Sequence, residues 1–323
     1  MRRMLILTLL AVTLTLAVLW WAYARDMRPV HKEVAAGATV VETAFGSVAF
    51  ESGGVGSPML AIHGAGGGHD QGRLLAEAFV PVGFHWIAPS RFGYPGSTMP
   101  DDASTRAQAE AFADLLDHLD IEQIAVLAMS GGVPPALQFA LRYPERTQAL
   151  ILLSLAPYAP LTAAEQELPV PLWLYDALFA SDVPLWAMLR LSPHRLAPMF
   201  DAREDLADQT TQAEAAFLDA MIKAFLPVTL RRAGLANEGA AINPKSAIDP
   251  GQLAVPVLIV HARDDRITPF STAVFTAGKI PHAQMLALDT GGHLLLGHHA
   301  ITRAMIQEFL AKHVASPLEH LEP

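Results

Sequence analysis

Apolar positions recur along this chain in different rhythms. The first is an unbroken run, "MLILTLLAVTLTLAVLWWAY", from Met4 to Tyr23 and without a charge. At about 1.5 Å rise per residue it predicts a helix of roughly 30 Å, the thickness of a bilayer's hydrocarbon. It has no polar face to turn toward water, and Trp20, Trp21 and Tyr23 stand where an interfacial aromatic belt would lie. The second rhythm is a series of short β-rich runs. "TVVETAF" and "SVAFES", joined at Gly46, predict a hairpin. "PMLAIHG", "FHWIAPS", "IAVLAMS", "ALILLSLA", "VPVLIVHA" and "QMLALDT" follow, each closing on small or polar residues. Between them the period changes to that of a helix, as in "STRAQAEAFADLLDHLD", where Phe112, Leu115, Leu116 and Leu119 mark one face and Thr105 with Gln108 fits a capping box. Strands that are apolar throughout and alternate with helices imply a mostly parallel sheet covered on both sides.

One stretch departs from the alternation. Residues 157–247 carry helical patterns and no strand, and read as a helical cap inserted after the sixth strand. Ligands of such sheets bind at the carboxyl ends of the strands, so a cap there would roof the crevice. Leu172, Trp173, Leu174, Phe179, Trp186, Met188 and Leu189 are candidates for an apolar roof. The organisation expected is an anchor over 1–24, a linker over 25–38, an α/β domain over 39–315 containing the cap, and a tail over 316–323.

A net charge of −10, with no Lys/Arg run in the body, argues against nucleic acid as a partner. There are no cysteines, which excludes disulfides, thiolate metal sites and a cysteine nucleophile. Only 17% of residues are charged while 52% are hydrophobic, so a packed core is expected. The apolar N-terminus has two readings. Ala22-Tyr23-Ala24 fits the small-x-small pattern of signal-peptide cleavage, which would give a secreted protein, yet the run exceeds the usual core of about 7–15 residues. The reading adopted is an uncleaved single-pass anchor. Arg2 and Arg3 face Arg25, Arg28 and Lys32 across it, so charge does not orient the span, and the very short N-terminal flank favours an exported body. The sequence carries no readable signal of oligomeric state.

The candidate chemistry sits at strand ends. In "VLAMSGGVPPALQFALRYPE", Ser130 lies at an abrupt strand-to-helix join, in a small-x-Ser-x-Gly pattern with Ala128 at the first position. Such a serine can cap or turn the chain, or it can present a nucleophilic hydroxyl. His63-Gly64-Ala65-Gly66-Gly67-Gly68 closes the strand "PMLAIHG". A glycine-rich loop there can aim backbone N–H groups at an oxyanion, satisfy a turn or cradle a phosphate; a nucleotide loop would want a Lys-Ser/Thr pair, and none follows. Asp70 is expected to cap the next helix. "HARDDRITP" puts Asp264 and Asp265 at another strand end, "GGHLLLGHH" puts His293 after the last, and His298 and His299 read as the exposed start of the final helix.

Serine, aspartate and histidine in that order, with a glycine-rich loop ahead of them, resemble the α/β-hydrolase family. The resemblance runs from about residue 39 to 315 and rests on "HGAGGG", "PSRFGYPGS", "AMSGG", "HARDDRITP" and "GGHLLLGH". It implies that Ser130 is the nucleophile, His293 its base and Asp265 the orienting acid, chosen over Asp264 by its spacing to Pro269. It also implies an oxyanion hole of the Gly131 N–H with that of Ala65 or Gly66, no cofactor and no metal. Asp264 is then expected to cap the turn or pair with Arg263 or Arg266. The expected activity is hydrolysis of a carboxylic ester with a small apolar or acyl portion. A C–C bond hydrolase, an acyltransferase or a perhydrolase would use the same residues, and a catalytically inactive binding protein is the alternative of another class.

Overall fold

The computed structural model describes residues 2–158, 173, 177, 179–239 and 248–314. Its strands are β1 (Thr39–Thr43), β2 (Gly46–Gly54), β3 (Ser57–Ile62), β4 (Phe84–Pro89), β5 (Ile124–Met129), β6 (Thr147–Leu153), β7 (Val257–Ala262) and β8 (Gln284–Leu288). Its helices are α1 (Arg2–Ala36), α2 (His69–Phe79), α3 (Thr105–His118), α4 (Val133–Arg142), α5 (Val183–Leu191), α6 (Gln212–Lys223), α7 (Arg232–Ala236), α8 (Phe270–Lys279) and α9 (His299–His313).

The apolar runs form one eight-stranded sheet in the order β1-β2-β4-β3-β5-β6-β7-β8. The β1–β2 hairpin turns where Gly46 was expected to turn it, and β2 also runs antiparallel to β4. Every later pairing is parallel. The central strands β5, β6 and β7 alternate their side chains between two apolar layers, one against α3 and α4 and the other against α2 and α9. Burial on both faces is why these strands read as continuous apolar runs. The cap lies between β6 and β7; its described part includes α5, α6 and α7.

Local chemistry sets several ends differently from the sequence expectation. Ser104, not Thr105, caps α3, its hydroxyl accepting from the Ala107 N–H. Gln108 turns away and accepts from the Phe92 N–H at 2.6 Å, holding the loop after β4. His299 is buried rather than exposed: its N–H donates to Glu214 Oε1 of the cap and its Nε2 to the Leu294 carbonyl. The expected tail, 316–323, lies outside the described residues, as do 159–172 and 240–247 of the expected cap.

The N-terminal helix holds the largest departure. Residues 2–21 of α1 are exposed along their whole length, as those of a lipid-facing span would be. Among the described residues α1 is the one helix long and apolar enough to cross a membrane. It does not stop at residue 24. It continues to Ala36, so the stretch expected as a linker is helical and docks on the cap with Met27 and Val34 buried. Trp186 Nε1 and Arg190 Nη1 donate to Asp26 Oδ2 at 3.2 and 2.6 Å. Tyr23 Oη donates to Asp182, itself buried in the cap, and Trp186 packs edge-on against the Tyr23 ring. Trp186 and Leu189, expected in the substrate roof, therefore face α1, where they line a cavity of about 790 Å³ with Met27 and Val30. Trp173 is exposed, and Leu172 and Leu174 lie outside the described residues.

Candidate active site

β5 ends at Met129, and the next residue bends the chain against its own sterics. Ser130 has φ +52°, a left-handed conformation that costs an L-residue on the order of 1–2 kcal/mol. A single 3₁₀ turn, Ser130–Gly132, then leads into α4. Pro134 and Pro135 both fall in its first turn, where backbone N–H groups have no helical acceptor, so the helix tolerates the pair. Ala128 is paired with Ile62 and Leu152 in the sheet and is fully buried. The glycine-rich loop after β3 passes beside this bend: a Cβ on Gly64 would stand 3.1 Å from the Ser130 Cβ and 3.7 Å from its Oγ.

β7 and β8 present the other two residues at the same sheet edge. His293 Nδ1 and Asp265 Oδ2 are 2.9 Å apart, in a buried contact. The carboxylate can only accept, so Nδ1 carries the proton and Nε2 is left with its lone pair free. Asp265 is fixed from several directions: Oδ1 accepts from the Ile267 and Thr268 N–H groups at 2.8 and 2.9 Å, and Oδ2 from the Thr268 hydroxyl at 2.8 Å. His261 Nε2 donates to the Thr268 carbonyl at 2.8 Å and lies 3.4 Å from Asp265 Oδ2. Burial alone would raise the Asp265 pKa. The His261 and His293 rings beside it and the Thr268 N–H outweigh burial and hold the carboxyl well below the ordinary carboxylate range, so it stays ionised.

Asp264 turns the opposite way. Its Oδ1 accepts from the Gly292 N–H at 2.9 Å, and its Oδ2 takes Arg203 Nη2 at 2.5 Å. Arg203 belongs to the cap and also holds Asp201, whose Oδ2 accepts from the Arg266 N–H. Asp264 thus ties the loops after β7 and β8 to each other and to the cap, through Arg203 rather than through Arg263 or Arg266. The adjacent carboxylates point apart.

The glycine-rich loop is fixed from beneath and from the cap. Its Gly66 N–H donates to Tyr94 Oη at 3.0 Å, which removes it as an anion donor, while Ala65 N lies 3.2 Å from where a Gly131 Cβ would be. Of the two residues expected to join Gly131, Ala65 is the one with its N–H uncommitted among the described residues. Asp70 sits inside the first turn of α2 rather than at its N-cap, and its Oδ1 accepts from the Gln71 N–H at 2.9 Å. It pairs at 2.6 Å with Arg231, a fully buried cap residue that also donates to the Gly67 carbonyl. Phe225, packed edge-to-face with Phe179 and Phe200, lies over Gly66 closely enough to exclude a Cβ there.

Sequence reading missed His261, Thr268, Arg203, Arg231, Tyr94 and Phe225. His261 is hidden in an apolar strand run, and Thr268 could have been suspected from its place between Asp265 and Pro269. The cap residues carry no local signal, because their partners lie far away in sequence.

A family model for the alpha/beta hydrolase fold matches residues 57–300. The chain belongs to the α/β-hydrolase fold family. Among α/β-hydrolase relatives it is 31% identical over 275 residues to the "Uncharacterized hydrolase YcgS" of Bacillus subtilis, covering 79% of this chain and 91% of that protein. It is 29% identical over 264 residues to the 2-hydroxymuconate semialdehyde hydrolase of Pseudomonas putida, covering 80% of this chain and 89% of that one. A solved bacterial membrane phospholipase A shares the α/β-hydrolase fold with a TM-score of 0.59 at 18% identity, over 97% of this chain and 99% of that one. In an α/β-hydrolase, a serine bent out of the sheet edge, a histidine with one free nitrogen and an ionised aspartate behind it can support nucleophilic attack on a carbonyl.

Proposed function

We propose that the protein is a membrane-anchored serine hydrolase that cleaves carboxylic esters through an acyl-enzyme intermediate. Ser130 Oγ attacks the ester carbonyl as His293 Nε2 takes its proton. The resulting oxyanion is met by the N–H groups of Gly131 and Ala65. Collapse expels the alcohol, which receives the proton from His293, and water repeats the sequence to release the acid. Asp265 holds the His293 tautomer and stabilises the imidazolium. The observation that carries this reading is the buried 2.9 Å pair between Asp265 and His293, presented at the sheet edge where Ser130 is held at positive φ.

Phe225, Phe179 and Phe200 give the crevice an apolar boundary. Turnover of p-nitrophenyl esters from acetate to octanoate by the full chain should therefore rise with length, each CH₂ adding up to about 0.8 kcal/mol to kcat/KM until the pocket is full. Rates that are flat across the series would overturn the apolar acyl site. The likeness to a 2-hydroxymuconate semialdehyde hydrolase supports a second reading, cleavage of a C–C bond by the same residues. Turnover of that semialdehyde, with every ester inert, would select it.

The anchor reading is supported by the continuity of α1 past residue 24 and by its Tyr23 and Asp26 contacts with the cap. The full-length protein should stay with membranes through a carbonate wash and keep its original N-terminus. A mature N-terminus at Arg25 would overturn the anchor.

A further inference from the structure

The residue after Ser130 is glycine, and the space its side chain would fill is already taken. A Cβ on Gly131 would stand 2.5 Å from Oε2 of Glu238, 3.2 Å from Ala65 N and 3.4 Å from Arg91 Nη2. Glu238 follows α7 at the end of the cap's described part, 108 positions beyond Ser130 by number (238 − 130). It is placed firmly: the Gly234 N–H donates to the Gly93 carbonyl at 2.9 Å, and Asn237 Nδ2 to the Ala103 carbonyl at 2.9 Å.

The two carboxylate oxygens of Glu238 have different surroundings. Oε1 accepts from Arg91 Nη2 at 2.6 Å and from Tyr94 Oη. Burial and the neighbouring Glu238 charge push the Tyr94 phenol well above its ordinary pKa, so it remains a donor. Oε2, aimed at the Gly131 backbone, is bound by no donor among the described residues. Arg91 is itself held by several acceptors: its Nε donates to the His63 carbonyl at 3.1 Å and its Nη2 to the Gly64 carbonyl at 2.9 Å as well as to Glu238. The result is a fixed, half-satisfied carboxylate beside the amides proposed to receive the oxyanion.

We infer that Glu238 is a specificity-determining residue, whose free Oε2 makes the substrate side of the crevice accept neutral and cationic groups and reject a carboxylate near the scissile bond. This rests on the reading of Ser130 as nucleophile. A like charge within about 4 Å repels even where the surroundings are partly polar. A hydroxyl or ammonium on the substrate would instead supply the donor that Oε2 lacks. Gly131 is the complementary half of the device, since any larger residue there would displace the carboxylate.

The test uses p-nitrophenyl phosphonates of matched arm length, bearing an alkyl, an ω-carboxylate or an ω-trimethylammonium group. Each would phosphonylate Ser130 of the full chain with release of p-nitrophenolate. The carboxylate probe should react at least about tenfold more slowly than the alkyl probe, and the ammonium probe at least as fast. In Glu238→Gln the carboxylate penalty should shrink to less than about threefold. A carboxylate probe that matches the alkyl probe in the wild-type chain would overturn the inference without need of any variant. A penalty that persists in Glu238→Gln would remove Glu238 from it. No labelling by the alkyl probe would strike down the nucleophile and this inference together, a result distinct from labelling without discrimination.

Discussion

Ser130→Ala is expected to abolish labelling by a fluorophosphonate and to reduce turnover by about 10⁶-fold, the loss seen when the nucleophile of a triad is removed. The expectation is specific to this serine. The Ser90 hydroxyl is buried and accepts from the His69 N–H, Ser97 bridges the Ser90 carbonyl and the Ala49 N–H, and Ser154 is buried behind β6. Ser90 and Ser154 also follow strands, β4 and β6, but both are without exposed surface, whereas Ser130 lies against Gly64 of the glycine-rich loop. Alanine at φ +52° bears about the strain that serine does, so the variant should fold and the loss can be assigned to chemistry. Labelling that survives the change would remove Ser130 from the mechanism.

Asp265→Asn should lower kcat by about 10⁴-fold, and Asp264→Asn by less than about tenfold, although the two residues are adjacent. An asparagine at 265 can present an N–H to His293 Nδ1, and the ring would answer by moving its proton to Nε2, the nitrogen that must be free to accept from Ser130. At 264 the losses are different. The amide would weaken the 2.5 Å pair with Arg203 and the bond from the Gly292 N–H, loosening the loop that carries His293. A cost of about 1–3 kcal/mol in unfolding free energy is expected there, with kcat per folded molecule largely kept. The reverse ranking, with Asp264→Asn crippling kcat, would mean that the register of the loop after β7 plays another part.

The sheet was legible because its signals are local. Each central strand is buried on both faces and so is apolar along its length, and each ends on the small or polar residues that the turn at the sheet edge requires. Asp265 could be told from Asp264 only through the spacing to Pro269 that the family resemblance supplied; in space, Asp265 faces His293 and Asp264 faces Arg203. What stayed hidden depends on partners distant along the chain. The charge on Asp26 gives no hint of Arg190, nor does Asp70 of Arg231 or Tyr94 of Glu238. The helix through residues 25–36 was missed for a related reason. Its Pro29 and mixed charges lack a strong helical pattern, and packing on the cap supplies what propensity does not.

The bend at Ser130 also bears on how this sequence is kept over time. Glycine takes positive φ without penalty, so folding alone would favour Gly at 130 and Ser is the less stable choice there. Drift under selection for stability would tend to erase that serine, and the contacts that hold the turn in place, from Ala156 N–H to the Ser130 carbonyl among them, spend part of the fold's margin on keeping it. A serine in a conformation that costs the fold stability points to a demand that folding does not make.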